Sequence, residues 1–199
     1  NMLICQLAAL SSRMAIGTLA YWHIGTLFNW HIIDLNIIEL FKMKTVIIED
    51  RQRVEEIISR CDICFVGITD LEGNPYVIPM NFGYQEGVIY LHSGPTGSSI
   101  DMLAQNNHVC ITFSTDHELV FQHPKVACSY RMKAKSVICR GKVGFIEDMD
   151  SKREALNIIM KHYSSREFVY SDPAVRNVKI WEIPIDSVTA KEYAAPHNS

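Results

Sequence analysis

Two alternating apolar runs followed by a loop of small residues are the feature that most constrains the fold of this chain. The runs lie within residues 76–93 and flank the turn Gln85-Glu86-Gly87. Alternation on both sides of a short turn that contains glycine predicts a β-hairpin. The second run ends at His92-Ser93, and a glycine- and serine-rich loop then leads into a helix. Because such a loop presents free backbone N–H groups and hydroxyls, it predicts a phosphate site and points to a phosphorylated cofactor.

The composition is that of an ordinary globular protein. The chain has 199 residues, of which 48% are hydrophobic and 21% charged, with a formal net charge of −3. This length suits one domain, or one domain with an appendage. The slight acidity does not favour nucleic-acid binding, which needs clustered lysine and arginine. The alternating Arg131, Lys133 and Lys135 indicate a solvated strand edge or an anion contact.

Six cysteines are present, and most lie in apolar runs, as buried reduced thiols do. Cys61 and Cys64 form a CxxC pair, which fits a redox pair, half of a zinc site, or two thiols at a buried strand. The last interpretation is favoured because no second CxxC completes a closed zinc site. His117, His123 and Cys128 match no zinc spacing and indicate a surface loop. No metal site is therefore predicted, and the cysteines favour a reducing cytoplasm.

The first 42 residues differ in composition from the rest. Residues 1–42 are rich in Leu, Ile, Ala and Trp, and Arg13 is the only lysine or arginine before Lys42. The mostly apolar run 14–30 is short for a membrane helix, which needs about 20 residues. It also lacks the basic start and the cleavage site of a signal peptide. We interpret 1–42 as an extension that need not be native, with a membrane or packing helix as the alternative, and predict a domain over 43–199.

Periodic patterns after Met43 indicate short helices and several strands. Asp50 is a candidate N-cap, and the spacing of Ser151 and Glu154 fits a capping box. Few helices and about six strands with short turns predict a mainly β fold, a closed antiparallel barrel with peripheral helices. The predicted helices are 50–60, 98–106 and 148–163, the predicted strands are 61–69, 75–84, 87–93, 108–114, 130–146 and 178–185, and 115–127 is predicted as a loop with a short strand.

Four segments together carry a family resemblance. They are YVIPMNFGY (76–84), GVIYLHSGPTGSSIDML (87–103), KSVICRGKVGFIED (135–148) and KREALNIIMKHY (152–163). From about residue 48 to 192 the chain resembles the FMN-binding split-barrel superfamily of pyridoxamine 5′-phosphate oxidase, and within it the branch of the nitroimidazole-resistance proteins. The resemblance implies a six-stranded antiparallel split barrel. It also implies a homodimer that holds FMN in a groove at the subunit interface.

The resemblance also assigns residues to the cofactor. The strand that runs along the isoalloxazine ring, mostly through backbone groups, would contain Val77, Ile78, Pro79, Met80 and Asn81. His92 and Ser93 would flank the flavin and its ribityl chain, Gly97, Ser98 and Ser99 would meet the phosphate, and Lys135 and Ser136 would approach from the long strand. His92 is the candidate catalytic residue, as a hydrogen-bond partner or proton donor, although a histidine at a strand end can also simply face solvent.

One position departs from the family pattern. Members usually carry a basic residue, often lysine, at the place of Ser99, so the phosphate loop here has only neutral donors. This lowers the expected affinity for FMN. Trp181 could stack on a flavin or fill the barrel, and we favour packing.

The predicted function is that of an FMN-dependent oxidoreductase of small, flat, electron-poor substrates such as nitroaromatic or quinone-like compounds. No GxGxxG motif follows a strand, so electrons would come from a nicotinamide that visits the open groove or from a partner protein. The alternative is a flavin-binding module without turnover, for storage or sensing. A membrane location is not favoured.

Overall fold

Alternation along the second strand shows how the sequence builds its sheet. A computed structural model describes residues 44–195, and the extension 1–42 lies outside the described residues. Along Cys64–Thr69, the side chains of Cys64, Val66 and Ile68 are buried, whereas Phe65 between them is exposed. This period of two places one apolar set in the core and the other on the outer face of the sheet.

The described residues contain nine strands and four α-helices. The strands are β1 (Lys44–Ile48), β2 (Cys64–Thr69), β3 (Pro75–Met80), β4 (Phe82–Gln85), β5 (Val88–Ser93), β6 (His108–Val120), β7 (Arg131–Lys142), β8 (Gly144–Ile146) and β9 (Lys179–Ala195). The helices are α1 (Arg51–Ser59), α2 (Ser98–Gln105), α3 (Met149–Tyr163) and α4 (Asp172–Arg176), and Ala127–Ser129 forms a 3₁₀ turn.

The strands form one open antiparallel sheet in the order β3-β2-β6-β7-β9-β5-β4, with β1 and β8 also paired to β9. The first half of β9 pairs with β5 and β8, and its second half pairs with β7 and β1. This one long strand therefore joins the two halves of the sheet, and β3 and β4 are left at its two ends. The mainly β, antiparallel split barrel is confirmed, and the barrel is open at β3 and β4 rather than closed.

The strand bounds differ from the sequence pattern in several places. No strand is predicted at β1, and the predicted strand 130–146 is divided at Val143 into β7 and β8. The predicted strand 75–84 is broken at Asn81, and its two parts become β3 and β4 at opposite ends of the sheet. Residues 115–120 continue β6 instead of forming a loop, and β9 reaches Ala195 instead of stopping at Ile185. The differences at 115–120 and 186–195 share a cause. Polar residues alternate along both segments because the outer side of each strand faces solvent, so neither segment shows a continuous apolar run.

Helices α1 and α3 begin where short acidic side chains cap them. Asp50 accepts a hydrogen bond from the N–H of Gln52 at 2.8 Å, which confirms the predicted N-cap of α1. The cap of α3 is Asp148, which accepts from the N–H and the hydroxyl of Ser151 at 2.9 and 2.8 Å. The capping box predicted at Ser151 and Glu154 is therefore wrong, because Asp148 is the N-cap and Ser151 already lies inside the first turn of α3 as a donor.

Helix α3 fixes the crossover between β3 and β4. A Cβ built on Gly83 would lie 2.7 Å from the backbone of Ile159, so α3 contacts β4 directly. The hydroxyl of Tyr163 accepts from the N–H of Phe82 at 3.0 Å and donates to the carbonyl of Asp62 at 2.8 Å. Phe82 is fully buried and meets Phe113 edge-on at 4.8 Å. These contacts turn the chain at Asn81.

No helix within residues 44–195 is long and apolar enough to cross a membrane.

Candidate functional site

The edge strand β3 exposes backbone groups that pair with no other strand of the described sheet. β3 is hydrogen-bonded only to β2, where Val77 lies opposite Gly67 and Pro79 opposite Phe65. A proline cannot donate to a ladder, so Pro75 and Pro79 occupy positions whose N–H side faces the open edge. Val77 lies midway between them, two residues from each, so its N–H and C=O point to the same edge. Its side chain is 62% exposed on the outer face.

The five residues predicted along the flavin ring divide between two faces. Val77, Pro79 and Asn81 are exposed, whereas Ile78 and Met80 pack against the hydrophobic core. Ile78 and Met80 alternate with Val77, so their backbone groups point towards β2 while their side chains pack inward. Of the residues within β3, Val77 is therefore the one that can offer both its N–H and its C=O at the open edge.

Ser93 ends β5 with its hydroxyl already engaged. The indole N–H of Trp181 donates to Ser93 Oγ at 3.0 Å, and the hydroxyl in turn donates to the carbonyl of Gly94 at 2.9 Å. Trp181 is fully buried and meets Phe145 edge-on at 6.4 Å, which confirms that it packs in the core. Ser93 therefore supports the strand end, and a ligand can reach only its remaining lone pair.

His92 lies beside Ser93 and opposite Ile180 of β9, with a partly exposed imidazole. Partial burial of the ring against this strand pair lowers the pKa of His92. The imidazole is therefore neutral at pH 7, with one nitrogen as donor and the other as acceptor. Such a ring can hydrogen-bond to a ligand without adding a positive charge.

The start of α2 is open to an anion. Gly97 occupies the N-cap with φ of 134°, and no side chain caps the helix. Its carbonyl accepts from the N–H groups of Ile100 and Asp101 at 2.9 and 3.0 Å. The N–H groups of Ser98 and Ser99, at the first two helical positions, have no intrahelical acceptor, and a Cβ at Gly97 would meet open space. The geometry fits a phosphate here.

Ser98 and Ser99 differ in their surroundings. Ser98 lines a depression of about 390 Å³ together with Asp70, Glu72 and Asp101. Three carboxylates repel a phosphate, so the side of the loop that bears Ser99 suits an anion better. Asp70 also belongs to the turn that precedes β3, so the start of α2 and the entry to β3 border the same depression.

Lys135 and Ser136 lie in a different part of the sheet from His92. Lys135 pairs with Glu192 in the β7–β9 register, whereas His92 pairs with Ile180 of the same strand. The ammonium of Lys135 is 3.1 Å from Asp116. A short loop joins His92 and Ser93 to the start of α2, whereas Lys135 and Ser136 pair with the second half of β9.

A cavity of about 780 Å³ lies between α1, β1 and the second half of β9, with Val54, Ile58 and Ala190 among its apolar walls. None of the predicted site residues lines it. At its rim, Glu55 accepts from Arg51 Nε and from the hydroxyl of Tyr84, both at 2.9 Å. Tyr84 ends the NFGY segment, but nothing in the sequence pattern links it to Glu55.

The CxxC pair is structural. Cys61 and Cys64 are buried, free thiols, and burial raises their pKa to about 11 and about 12. Their sulfurs donate to the carbonyls of Ile57 and Met80 at 3.2 and 3.5 Å. Protonated, hydrogen-bonded thiols are poor nucleophiles and poor metal ligands, so the interpretation as buried thiols is confirmed. Over residues 44–195, no group of three His, Cys, Asp or Glu side chains is placed to hold a metal ion.

A family model described as pyridoxamine 5′-phosphate oxidase matches residues 50–192. The chain belongs to the pyridoxamine 5′-phosphate oxidase family. One solved relative is a candidate 5-nitroimidazole antibiotic resistance protein from Bacteroides thetaiotaomicron, with 63% identity and a TM-score of 0.69. The match covers 75% of this chain and 88% of that one. Among curated proteins, none matches this chain.

More distant structures share the fold of this family. A flavocytochrome from Azotobacter vinelandii is 21% identical over 75% of this chain and 70% of that one, with a TM-score of 0.65. An FAD and haem binding protein from Mycobacterium smegmatis is 15% identical over 78% and 77%, with a TM-score of 0.67. The split barrel of this family is thus a fold also found in flavin-binding proteins.

Proposed function

We propose that the chain is an FMN-binding flavoprotein that acts, as a homodimer, as an oxidoreductase of small electron-poor compounds. One observation carries the proposal, namely that the uncapped start of α2 borders the same depression as the turn that leads into the edge strand β3. The edge offers Val77 N–H and C=O to a flat ring with donors and acceptors, and the loop Gly97-Ser98-Ser99 offers N–H groups to a phosphate. A flavin mononucleotide carries both of these parts on one molecule.

The residues of this chain would hold and orient the cofactor, and the flavin would supply the electron transfer. The β3 edge fixes the ring, α2 fixes the phosphate, and the neutral imidazole of His92 can donate a hydrogen bond at the ring, whereas proton donation needs the protonated form of the imidazole. Electrons come from a reduced nicotinamide or from a partner protein. The named activity of the relative that is 63% identical supports a nitroimidazole as a first substrate to test.

The homodimer is supported by the separation of the predicted site residues. Lys135 and Ser136 of β7 pair with the second half of β9, whereas His92 of β5 pairs with its first half. A flavin held between two copies of the chain can meet both groups, one from each copy. A twofold axis would then generate two equivalent sites.

A flavin-binding module without turnover is the second candidate. Among the predicted site residues of the described domain, only His92 and Lys135 have titratable side chains, and Lys135 is paired with Asp116. A single neutral imidazole provides little acid–base chemistry, although flavin redox reactions can proceed with little help from side chains. Both candidates need the same groove, so turnover separates them.

The test begins with the colour of the purified protein, since bound oxidised flavin absorbs near about 450 nm. Titration with FMN, FAD and riboflavin should give the tightest binding for FMN. The FMN-loaded protein is then mixed with NADH or NADPH and a panel of nitroimidazoles and quinones under anaerobic conditions. Turnover supports the oxidoreductase, binding without turnover supports the module, and failure to bind any flavin at micromolar concentration would overturn both.

A further inference from the structure

The cavity between α1, β1 and the second half of β9, which we call the α1 cavity, has a volume of about 780 Å³. Val88, which begins β5, lines this cavity, whereas His92 and Ser93 end the same strand beside the proposed phosphate loop. A strand rises about 3.3 Å per residue, so Val88 and His92 lie roughly 13 Å apart. The α1 cavity is therefore a second candidate site on the described domain.

The walls of the α1 cavity are apolar and come from a helix and a strand pair. Val54 and Ile58 lie one turn apart on α1, and Ile48 of β1 pairs directly with Ala190 of β9. These four side chains are at most 7% exposed, so they form a fixed wall. Val188 also lines the cavity and is 45% exposed, so part of the apolar lining stays open to solvent. The volume lies within the range of about 300–1,000 Å³ that is usual for cavities that bind small molecules.

Carboxylates predominate among the charged groups that line the α1 cavity. The charged lining residues are Glu49, Arg51, Glu55, Glu86 and Lys191. Successive side chains of a strand point to opposite faces, so Lys191 lies on the other face of β9 from its buried neighbour Ala190. Three carboxylates and one guanidinium remain on the side of the apolar walls. This balance attracts a cation and repels an anion.

Glu55 is the carboxylate that the fold holds in place at the mouth of the cavity. Arg51 Nε and the hydroxyl of Tyr84 both donate to its Oε1, each at 2.9 Å. The hydrogen bond from Arg51 lowers the pKa of Glu55, whereas burial raises the pKa of Tyr84, so the carboxylate is ionised and the phenol is protonated at pH 7. Neither donor uses Oε2, and a carboxylate oxygen of this kind can accept a hydrogen bond from a ligand.

We propose that the α1 cavity binds a small amphipathic cation, with its apolar chain between α1 and β9 and its protonated amine on Glu55. The apolar walls favour any ligand with an alkyl or aryl body, because they remove that body from water. The head group then decides between ligands. A protonated amine makes a charge-assisted hydrogen bond to the carboxylate, a neutral hydroxyl makes a weaker one, and an anionic head is repelled. This site does not depend on the flavin or on the proposed function.

The test compares three ligands that share one alkyl chain and differ in the head group, namely octylammonium, octanol and octanoate. Isothermal titration calorimetry on the full chain measures their dissociation constants. We expect octylammonium to bind about tenfold more tightly than octanol, since a hydrogen bond to a charged group contributes more than a neutral one. Octanoate should bind more weakly than octanol. The inference is wrong if octanoate binds most tightly, or if octylammonium does not bind at about 1 mM.

Two matched variants locate the head group. Glu55→Gln removes the charge and keeps the shape of the side chain, and Glu56→Gln removes a charge from the next residue of α1, which does not line the cavity. We expect Glu55→Gln to weaken octylammonium binding about tenfold, to the level of octanol, and to leave octanol binding within about twofold. Glu56→Gln should change neither by more than about twofold, because an exposed charge outside the contact is screened. Equal losses in the two variants would show a general charge effect and contradict the inference.

A third variant locates the alkyl chain. Val188→Trp fills the cavity from its exposed wall and should weaken both octylammonium and octanol at least about tenfold, because the chain loses its apolar contacts. Thermal melting checks folding, and Val188→Phe repeats the change with a smaller ring if the Trp variant does not fold. Unchanged octanol binding in a folded variant would place the chain elsewhere and overturn the inference.

The titrations are repeated in the presence of FMN. Octylammonium should bind equally well with and without FMN, since no residue assigned to the cofactor lines the α1 cavity. Competition between the two would place the amine in the flavin groove and contradict a separate site. If the protein does not bind FMN at all, the proposed function fails while the amine titration still tests the α1 cavity.

Discussion

Replacing Ser99 with lysine should tighten FMN binding. Ser99 is the second residue of α2, and its side chain is half-buried at the open start of the helix. The described loop offers a phosphate only neutral donors there. A lysine would add a charge-assisted hydrogen bond, which is roughly twice as strong as a neutral one.

The surroundings of the loop limit the gain. A charged donor adds about 1 kcal/mol over a neutral one. A cation in the first turn of a helix opposes the dipole at a cost of about 0.3 kcal/mol, and the nearby Asp101 competes for the ammonium. The expected net gain is therefore about 0.5–1 kcal/mol, or two- to fivefold in affinity. Ser99→Ala removes a donor and should weaken binding by about the same factor.

Fluorescence titration with FMN and riboflavin at two salt concentrations measures these effects. The gain for Ser99→Lys should shrink as salt rises, because an exposed ammonium–phosphate pair is screened. Ser98→Lys is the matched control, since this lysine would face the carboxylates of Asp70, Glu72 and Asp101 and should improve FMN binding less. Riboflavin lacks the phosphate and should respond to none of the changes. Equal effects on FMN and riboflavin would place Ser99 away from the phosphate and refute this reasoning.

Three further predictions concern stability. Gly83→Ala should destabilise the domain by about 3 kcal/mol in urea unfolding, because its Cβ would lie 2.7 Å from the backbone of Ile159. Tyr163→Phe should cost about 1–2 kcal/mol by leaving the N–H of the buried Phe82 without its acceptor, whereas a thermal melt identical to wild type would show that water replaces the hydroxyl. The pKa of His92 is lowered from its ordinary value of 6.5 in the folded state. As the pH falls through 6.5, the unfolded chain therefore takes up this proton before the folded chain does. The melting temperature should therefore fall as pH drops through 6.5, and His92→Gln should reduce that fall.

The sequence was sufficient to predict most of the local elements. The alternation in 87–93 and the helical period in 148–163 each follow from one side of an element facing the core. The break at Asn81 could not be predicted in this way, because residues 75–84 read as one continuous strand. The break depends on Tyr163 of α3 and on Gly83 of β4, and these residues make their contacts only when α3 packs on β4. Such long-range contacts leave no periodic signal.

The site was predictable only as separate pieces. The glycine and serine residues after β5 indicate an open helix start, and the prolines of β3 indicate an edge strand, and both are local signals. The hydrogen bond from Trp181 to Ser93 joins residues far apart in the chain and could not be foreseen. The acidic surroundings of Ser98 also arise from packing, since Asp70 and Glu72 come from a different turn.

Lys135 has a structural contact beside its expected place at the cofactor. The family resemblance places it near a flavin, whereas the structure places its ammonium 3.1 Å from Asp116. These roles are compatible because the pair is partly exposed, and pairs of that kind contribute about 1 kcal/mol or less. Arg60 also contacts Asp116, at 2.6 Å, so the carboxylate keeps a cation if Lys135 turns away. Lys135 can therefore leave Asp116 for an anionic ligand at little cost in stability.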